Sequence, residues 1–239
     1  MPGERMNAVL ALLGGDGGTS FAAAAAIAAA EALGVDGVSA GVGAGPQGVV
    51  LAWGDQPVGV ALEDLQFTLG QGPGLEAVAN GTPVLVPDLR EHTGRWPGFV
   101  PGADELGVRA VFAFPLRIGA ISVGVLTAHR AMPGPLLEGQ LADALALADT
   151  VTVLLLHRVL AETAGDTDKE RRPPPGWAQS ATYRAGVHQA TGMISVQLNV
   201  SLAEALVRLR AHAYAQERPI AEVAADVVTR RLRFADPNR

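Results

Sequence analysis

His92 follows Asp88 by four residues in the stretch DLREHTGRW, and a carboxylate beside an imidazole is the usual material of general acid–base catalysis. No nucleophile or third member accompanies the pair, so Asp88, Arg90, His92, Arg95 and Trp96 read as one capped, ordered loop. The five histidines, His92, His129, His157, His188 and His212, fall at no metal-ligand spacing. The chain has no cysteine, which excludes disulfides, zinc–thiolate sites, thiol nucleophiles and thioether-linked chromophores together. The glycines of LGQGPG, residues 69–74, imitate a phosphate loop. They lack the Lys-Ser/Thr pair that would hold phosphates and Mg²⁺, so the segment reads as a turn before a helix at Leu75. No catalytic residue, metal ligand or cofactor is expected.

The remaining chemistry is cationic and aromatic. Arg208, Arg210, His212 and Tyr214 alternate along one predicted helix and so occupy more than one of its faces. Arg210 and Tyr214, four apart, are neighbours on the helix surface. A guanidinium beside an aromatic ring can grip phosphate and stack an unpaired base; a solvated face with an intrahelical cation–π contact fits the same residues. Arg230, Arg231 and Arg233 close the predicted last helix, where they would complement its dipole or meet RNA. Charge is divided unevenly. Residues 177–239 carry eight arginines against Glu204, Glu217, Glu222, Asp226 and Asp236, whereas residues 1–176 carry ten basic and nineteen acidic side chains. An acidic body with a basic end suits a protein that meets nucleic acid at that end.

These residues need elements to hold them. Hydrophobic residues make up 49% and charged residues 18% of the 239, enough for a packed core. The longest pure apolar run, Phe21–Ala30, is ten residues, about half of the ~20 that span a bilayer; no membrane association is expected, and the lack of cysteine is compatible with a cytoplasmic location. Helices are predicted over 7–13 and 21–33, the second capped by Thr19 or Ser20 and by Gly34, with Phe21, Ile27 and Leu33 giving bulk to its alanine run. Strands are predicted over 37–42, 48–53 and 83–86, and a short helix over 75–80 stopped by Gly81. The strongest strand pattern is a hairpin, 108–118 with 121–130, joined at Gly119-Ala120. A long helix over 136–162 repeats Leu137, Leu141, Leu145, Ala148, Thr152, Leu155 and Val159 at three- and four-residue spacing. Its apolar seam exceeds what one small sheet needs, which predicts a parallel homodimer. The charged, proline-rich GDTDKERRPPPG then separates an α+β body from an all-helical end.

Three helices follow. Tyr183, Val187, Ala190, Ile194 and Leu198 form the first seam; Ser201 with Glu204 forms a capping box for the second; Pro219 opens the third, which buries Ile220, Val223, Ala224, Val227 and Val228. Residues 187–228, VHQATGMISVQLNVSLAEALVRLRAHAYAQERPIAEVAADVV, resemble the ANTAR family of transcription antitermination regulators. The likeness rests on Ala190, Gly192, Met193 and Ile194, on Ser201, Glu204 and Ala205, on Leu209, Arg210 and Ala213, and on Ile220, Val223 and Ala224. It implies a three-helix domain that binds paired stem-loops in messenger-RNA leaders, usually as a dimer. Thr191 stands where many members carry a basic residue. Gly192, costly inside a helix, is read as a point where another backbone approaches closely, protein or RNA. The candidate RNA-binding residues are Thr191, Gly192, Arg208, Arg210, Tyr214 and Arg218.

The preceding part resembles GAF domains, on LQFTLGQGPGLEAVANGTPVLVPDL (65–89), RWPGF (95–99) and GVRAVFAFPLRIG (107–119). The resemblance implies an antiparallel sheet flanked by helices, with the Asp88–Trp96 loop on the rim of a pocket for a small molecule that no motif identifies. The expected division is a GAF domain over 1–162, a linker over 163–176 and an ANTAR domain over 177–239. In the mechanism this suggests, an input biases how two GAF domains pair, and the long helices and stiff linker pass the change to the RNA-binding bundles. A protein-interaction regulator whose bundle does not hold RNA remains the alternative. A GAF-type redox enzyme is disfavoured by the absence of cysteine.

Overall fold

The computed structural model describes residues 2–14, 23–43, 50–54, 57–163, 175–216 and 218–235. Its centre is a five-stranded antiparallel sheet in the order β2-β1-β5-β4-β3, formed by β1 (Gly37–Val42), β2 (Val50–Trp53), β3 (Val84–Val86), β4 (Ala110–Ile118) and β5 (Ile121–Arg130). The β4–β5 hairpin turns where Ile118 pairs with Ile121, and Gly119 there has φ +59°, a conformation only glycine adopts without strain.

Side chains alternate across this sheet, and its two faces are different. Val38, Ala40, Phe112, Phe114, Leu126 and Ala128 point to one face. They meet α1 (Glu4–Gly14), α2 (Ala23–Leu33) and the 26-residue α6 (Glu138–Thr163) in a hydrophobic core. Within α2 the small residues themselves make the contact: Ala25, Ala26, Ala29, Ala30 and Leu33 are buried, while Ile27 faces out, 48% exposed. That corrects the bulk assigned to Ile27; Phe21, Thr19 and Ser20 lie outside the described residues. In α6 the buried stripe is Ala144, Leu147, Ala148, Val151, Thr152 and Leu155, whereas Leu137 and Leu145 of the predicted seam are exposed. Part of that seam is covered by α1, through Met6, Val9 and Leu13. By length and composition α6 could cross a membrane over 138–157, a property the count of uninterrupted apolar residues does not reveal; here its apolar stripe is packed on the sheet.

The opposite face is covered by α3 (Pro57–Leu69), α4 (Pro73–Asn80), a 3-10 turn over Leu89–His92 and α5 (Phe99–Glu105). Sequence patterning suggests neither α3 nor α5. Gly59 and the β-branched Val58 and Val60 blur the first, and Pro101 and Gly102 interrupt the second. Leu62, Ala77, Val86, Trp96, Phe99, Val111 and Val125 form a second core here. The glycine-rich 70–72 turn is fixed from α3, where the Gln66 Oε1 accepts from the Gly74 N–H at 2.7 Å.

The end of the chain is a three-helix bundle of α7 (Pro175–Leu198), α8 (Leu202–Ala215) and α9 (Ile220–Val228). Pro175 is already the first residue of α7, so the helix begins within the expected linker, and 164–174 lie outside the described residues. Val187, Ala190, Ile194, Leu209, Ala213, Val223 and Val227 fill the bundle core. Ser201 caps α8 by accepting from the Glu204 N–H at 3.2 Å. α9 ends at Val228, before Arg230, Arg231 and Arg233. These arginines therefore do not close the helix; Arg230 sits in a left-handed turn at φ +62° and Arg231 pairs with Asp226 at 2.9 Å.

Candidate functional site

The first candidate surface is α8. Its buried positions, Ala205, Leu206, Leu209 and Ala213, face the bundle, which leaves Val207, Arg210 and Tyr214 at three- and four-residue spacing on one outer face. Tyr214 is 68% exposed and Val207 60%. Arg210 is engaged. Its Nε donates to the Phe67 carbonyl of α3 at 3.0 Å, and its guanidinium lies 5.6 Å from the centre of the Phe67 ring. Burial pulls its pKa below the ordinary arginine value. Arg210 thus stacks on Phe67, 143 residues away in sequence, and not on its helical neighbour Tyr214.

The other candidates are dispersed. Arg208 lies on the far side of α8, paired with Glu204 at 2.8 Å. Arg218 pairs with Asp226 at 2.8 Å and lies 3.7 Å from Glu222; the hydrogen bond to Asp226 raises the arginine's pKa and lowers the aspartate's. Thr191 is buried, and its hydroxyl donates to the Val187 carbonyl at 2.7 Å, so it presents no group to a ligand in this arrangement. A Cβ built on Gly192 would meet nothing within 4 Å. The close backbone approach expected there is absent within the chain, because α8 and α9 pack on the Val187–Ala190–Ile194 side of α7. Gly192 instead leaves a small open notch.

The second candidate is a cavity of about 260 Å³ at the edge of the sheet's α3 face. Pro57, Val58, Leu106 and Val108 form its apolar wall, with Asp36 and His129 beside them. Strand register explains the polar part. Ser39 pairs with Thr127, and His129 follows two residues along β5, so alternation puts all three on the α3 face. Glu63 and Gln66 of α3 are buried above the same face. The Thr127 hydroxyl and His129 Nδ1 have no hydrogen-bond partner among the described residues. Burial lowers the His129 pKa, against a weaker upward pull from Asp36. Sequence reading named His129 only as a histidine without metal-ligand spacing, since one histidine on a strand carries no motif.

The Asp88–Trp96 loop is ordered by ion pairs and packing. Asp88 caps the 3-10 turn through the Arg90 N–H and holds Arg109 at 2.8 Å, which keeps its carboxyl below the usual range. Arg90 pairs with Asp104, Arg95 with Glu76, and Trp96 is buried in the second core. None of these residues lines the cavity described above.

An antiparallel sheet covered by helices on both faces is the architecture expected of a GAF domain, and the family comparisons agree. The GAF domain model matches residues 18–155, more than half the chain, and this chain belongs to the GAF domain family. The ANTAR domain model matches residues 178–228, which gives the GAF–ANTAR architecture. Among solved structures, the GAF domain from Acinetobacter phosphoenolpyruvate-protein phosphotransferase is similar at 14% identity and TM-score 0.51, over 68% of this chain and 96% of that one. The GAF domain of the same kind of protein from Coxiella burnetii is 17% identical at TM-score 0.49, over 68% and 97%. Free methionine-R-sulfoxide reductase from Neisseria meningitidis, in complex with its substrate, is 20% identical at TM-score 0.49, over 66% and 90%. At these identities the likeness concerns the fold alone. No curated protein matched the chain.

Proposed function

We propose that this chain is a cytoplasmic RNA-binding antitermination regulator that acts as a homodimer. ANTAR domains are RNA-binding antiterminator modules and GAF domains are sensory. In this reading the bundle holds paired stem-loops of messenger-RNA leaders, and the GAF domain supplies the input. The carrying observation is Tyr214, a large aromatic left 68% exposed on the α8 face that also bears Arg210. An exposed ring beside a guanidinium can stack an unpaired loop base while the cation meets phosphate. The input fits the α3-side cavity: a small, mostly apolar molecule with one polar group for His129. No catalytic step is assigned to any residue.

The test is binding of the full chain to an RNA with two tandem stem-loops. Affinity is expected to fall steeply with salt as counterions are released. Tyr214→Ala is expected to cost about 1–3 kcal/mol. The pairing of Arg208 and Arg218 with acidic partners favours the second reading, a protein-interaction regulator. The absence of RNA binding at low salt would move the assignment there.

A further inference from the structure

On the outer face of α8, Arg210 is already engaged from within the chain, while Val207 and Tyr214 stay exposed. Phe67 is 1% exposed, and it belongs to the core of the ANTAR bundle rather than to either core of the GAF sheet. It is a GAF residue spent on holding the output domain. Beside it the chain turns at Gly70, φ +66°, where an added Cβ would lie 2.7 Å from Arg210 Nη1. The absence of a side chain at residue 70 is what lets the guanidinium lie down on α3. Arg210 therefore gives up part of its solvent for one carbonyl and one ring, with no carboxylate partner among the described residues. That is a weak resting place for a cation, and a phosphate would offer it a stronger, charge-assisted bond.

We infer that the α3 end formed by Phe67 to Gly70 is an autoinhibitory socket: it withholds Arg210 from RNA, and RNA and α3 compete for that guanidinium. This rests on the RNA-binding reading above. Helix α3 has thirteen residues, about 20 Å of rigid helix. Its first turn, Pro57 and Val58, walls the cavity, so one element touches both the candidate input site and the socket. Withholding obeys simple arithmetic: if Arg210 is free in a fraction f of molecules, the apparent dissociation constant rises by 1/f.

The experiment uses the full chain as wild type, Phe67→Ala, Arg210→Ala and the double variant, each titrated with the tandem stem-loop RNA and followed by amide hydrogen exchange in α8. Phe67→Ala is expected to speed exchange in α8 and tighten RNA binding about tenfold, the gain for an Arg210 free in roughly a tenth of molecules. Adding Arg210→Ala is expected to abolish that gain. Arg210→Leu, which keeps an apolar stem against the bundle, guards against a folding defect and is expected to abolish it equally. Faster exchange in α8 without tighter binding would overturn the inhibitory role while leaving the RNA reading intact. Unchanged exchange would overturn the socket itself. Failure of all variants to bind RNA, with α8 released, would overturn the RNA reading and the inhibition with it.

Discussion

The two faces of the GAF sheet share five strands and differ in what those strands present. Toward α1, α2 and α6 the strands present Val38, Ala40, Phe112, Phe114, Leu126 and Ala128, and the buried Thr152 of α6 is satisfied by the Ala148 carbonyl. Toward α3 the same strands present Ser39, Thr127 and His129, and α3 answers with Glu63 and Gln66. Of these, the Thr127 hydroxyl and His129 Nδ1 have no hydrogen-bond partner among the described residues, and buried polar atoms without partners lower stability. The cavity and the contact between α3 and α8 lie on that side; the bundle also meets the edge of the sheet, where α7 packs against β2. The proposed input site and socket thus lie where the packing is incomplete, with the hydrophobic core of the other face behind them.

Substitutions can break or sharpen this contrast. The largest effect is expected on the hydrophobic face: Phe112→Ala, at a residue 1% exposed, should cost about 3–5 kcal/mol of unfolding free energy. A loss under about 1 kcal/mol in chemical denaturation would show that the face is not the structural one. On the α3 face the sign reverses. Thr127→Val keeps the shape of the side chain and removes a buried hydroxyl without a partner, so it should stabilise the domain by about 1 kcal/mol. Destabilisation in the same measurement would mean that the hydroxyl is satisfied in solution. Val58→Trp, which fills the cavity at the start of α3, should shift α8 amide exchange without a change at Phe112; equal effects on both faces would dissolve the distinction.

The smallest effect is expected from pH. Burial lowers the His129 pKa from its ordinary 6.5, so the folded protein prefers the neutral imidazole while the unfolded chain takes up a proton sooner. The stabilisation is complete above pH 6.5 and is lost as pH falls from there through the folded-state value. His129→Asn should flatten this part of the stability–pH curve. A wild-type curve that rises as pH drops below 6.5, by a margin that His129→Asn removes, would contradict the assignment.

The sequence made the hydrophobic face and the bundle legible because both rest on local periodicity. The β4–β5 hairpin follows from alternation around Gly119, and the bundle from the seam Val187, Ala190, Ile194 and the Ser201 cap. Helix α3 escaped because Gly59 and its flanking valines weaken the helical pattern, although tertiary packing on Leu62 and Phe67 sustains it. The socket was illegible for a deeper reason: Phe67 and Arg210 are 143 residues apart, and neither type announces the other. The same limit explains Gly192, where a costly glycine suggested close packing and the structure leaves space.

Competition between α3 and RNA for Arg210 of α8 can be observed directly by amide hydrogen exchange of the full chain with and without saturating stem-loop RNA. The expected result is reciprocal: RNA should protect α8 and at the same time expose the 66–70 end of α3, with the GAF strands unchanged. Bound RNA that leaves exchange at 66–70 as slow as in the free protein would show that the socket stays filled, and would contradict the competition.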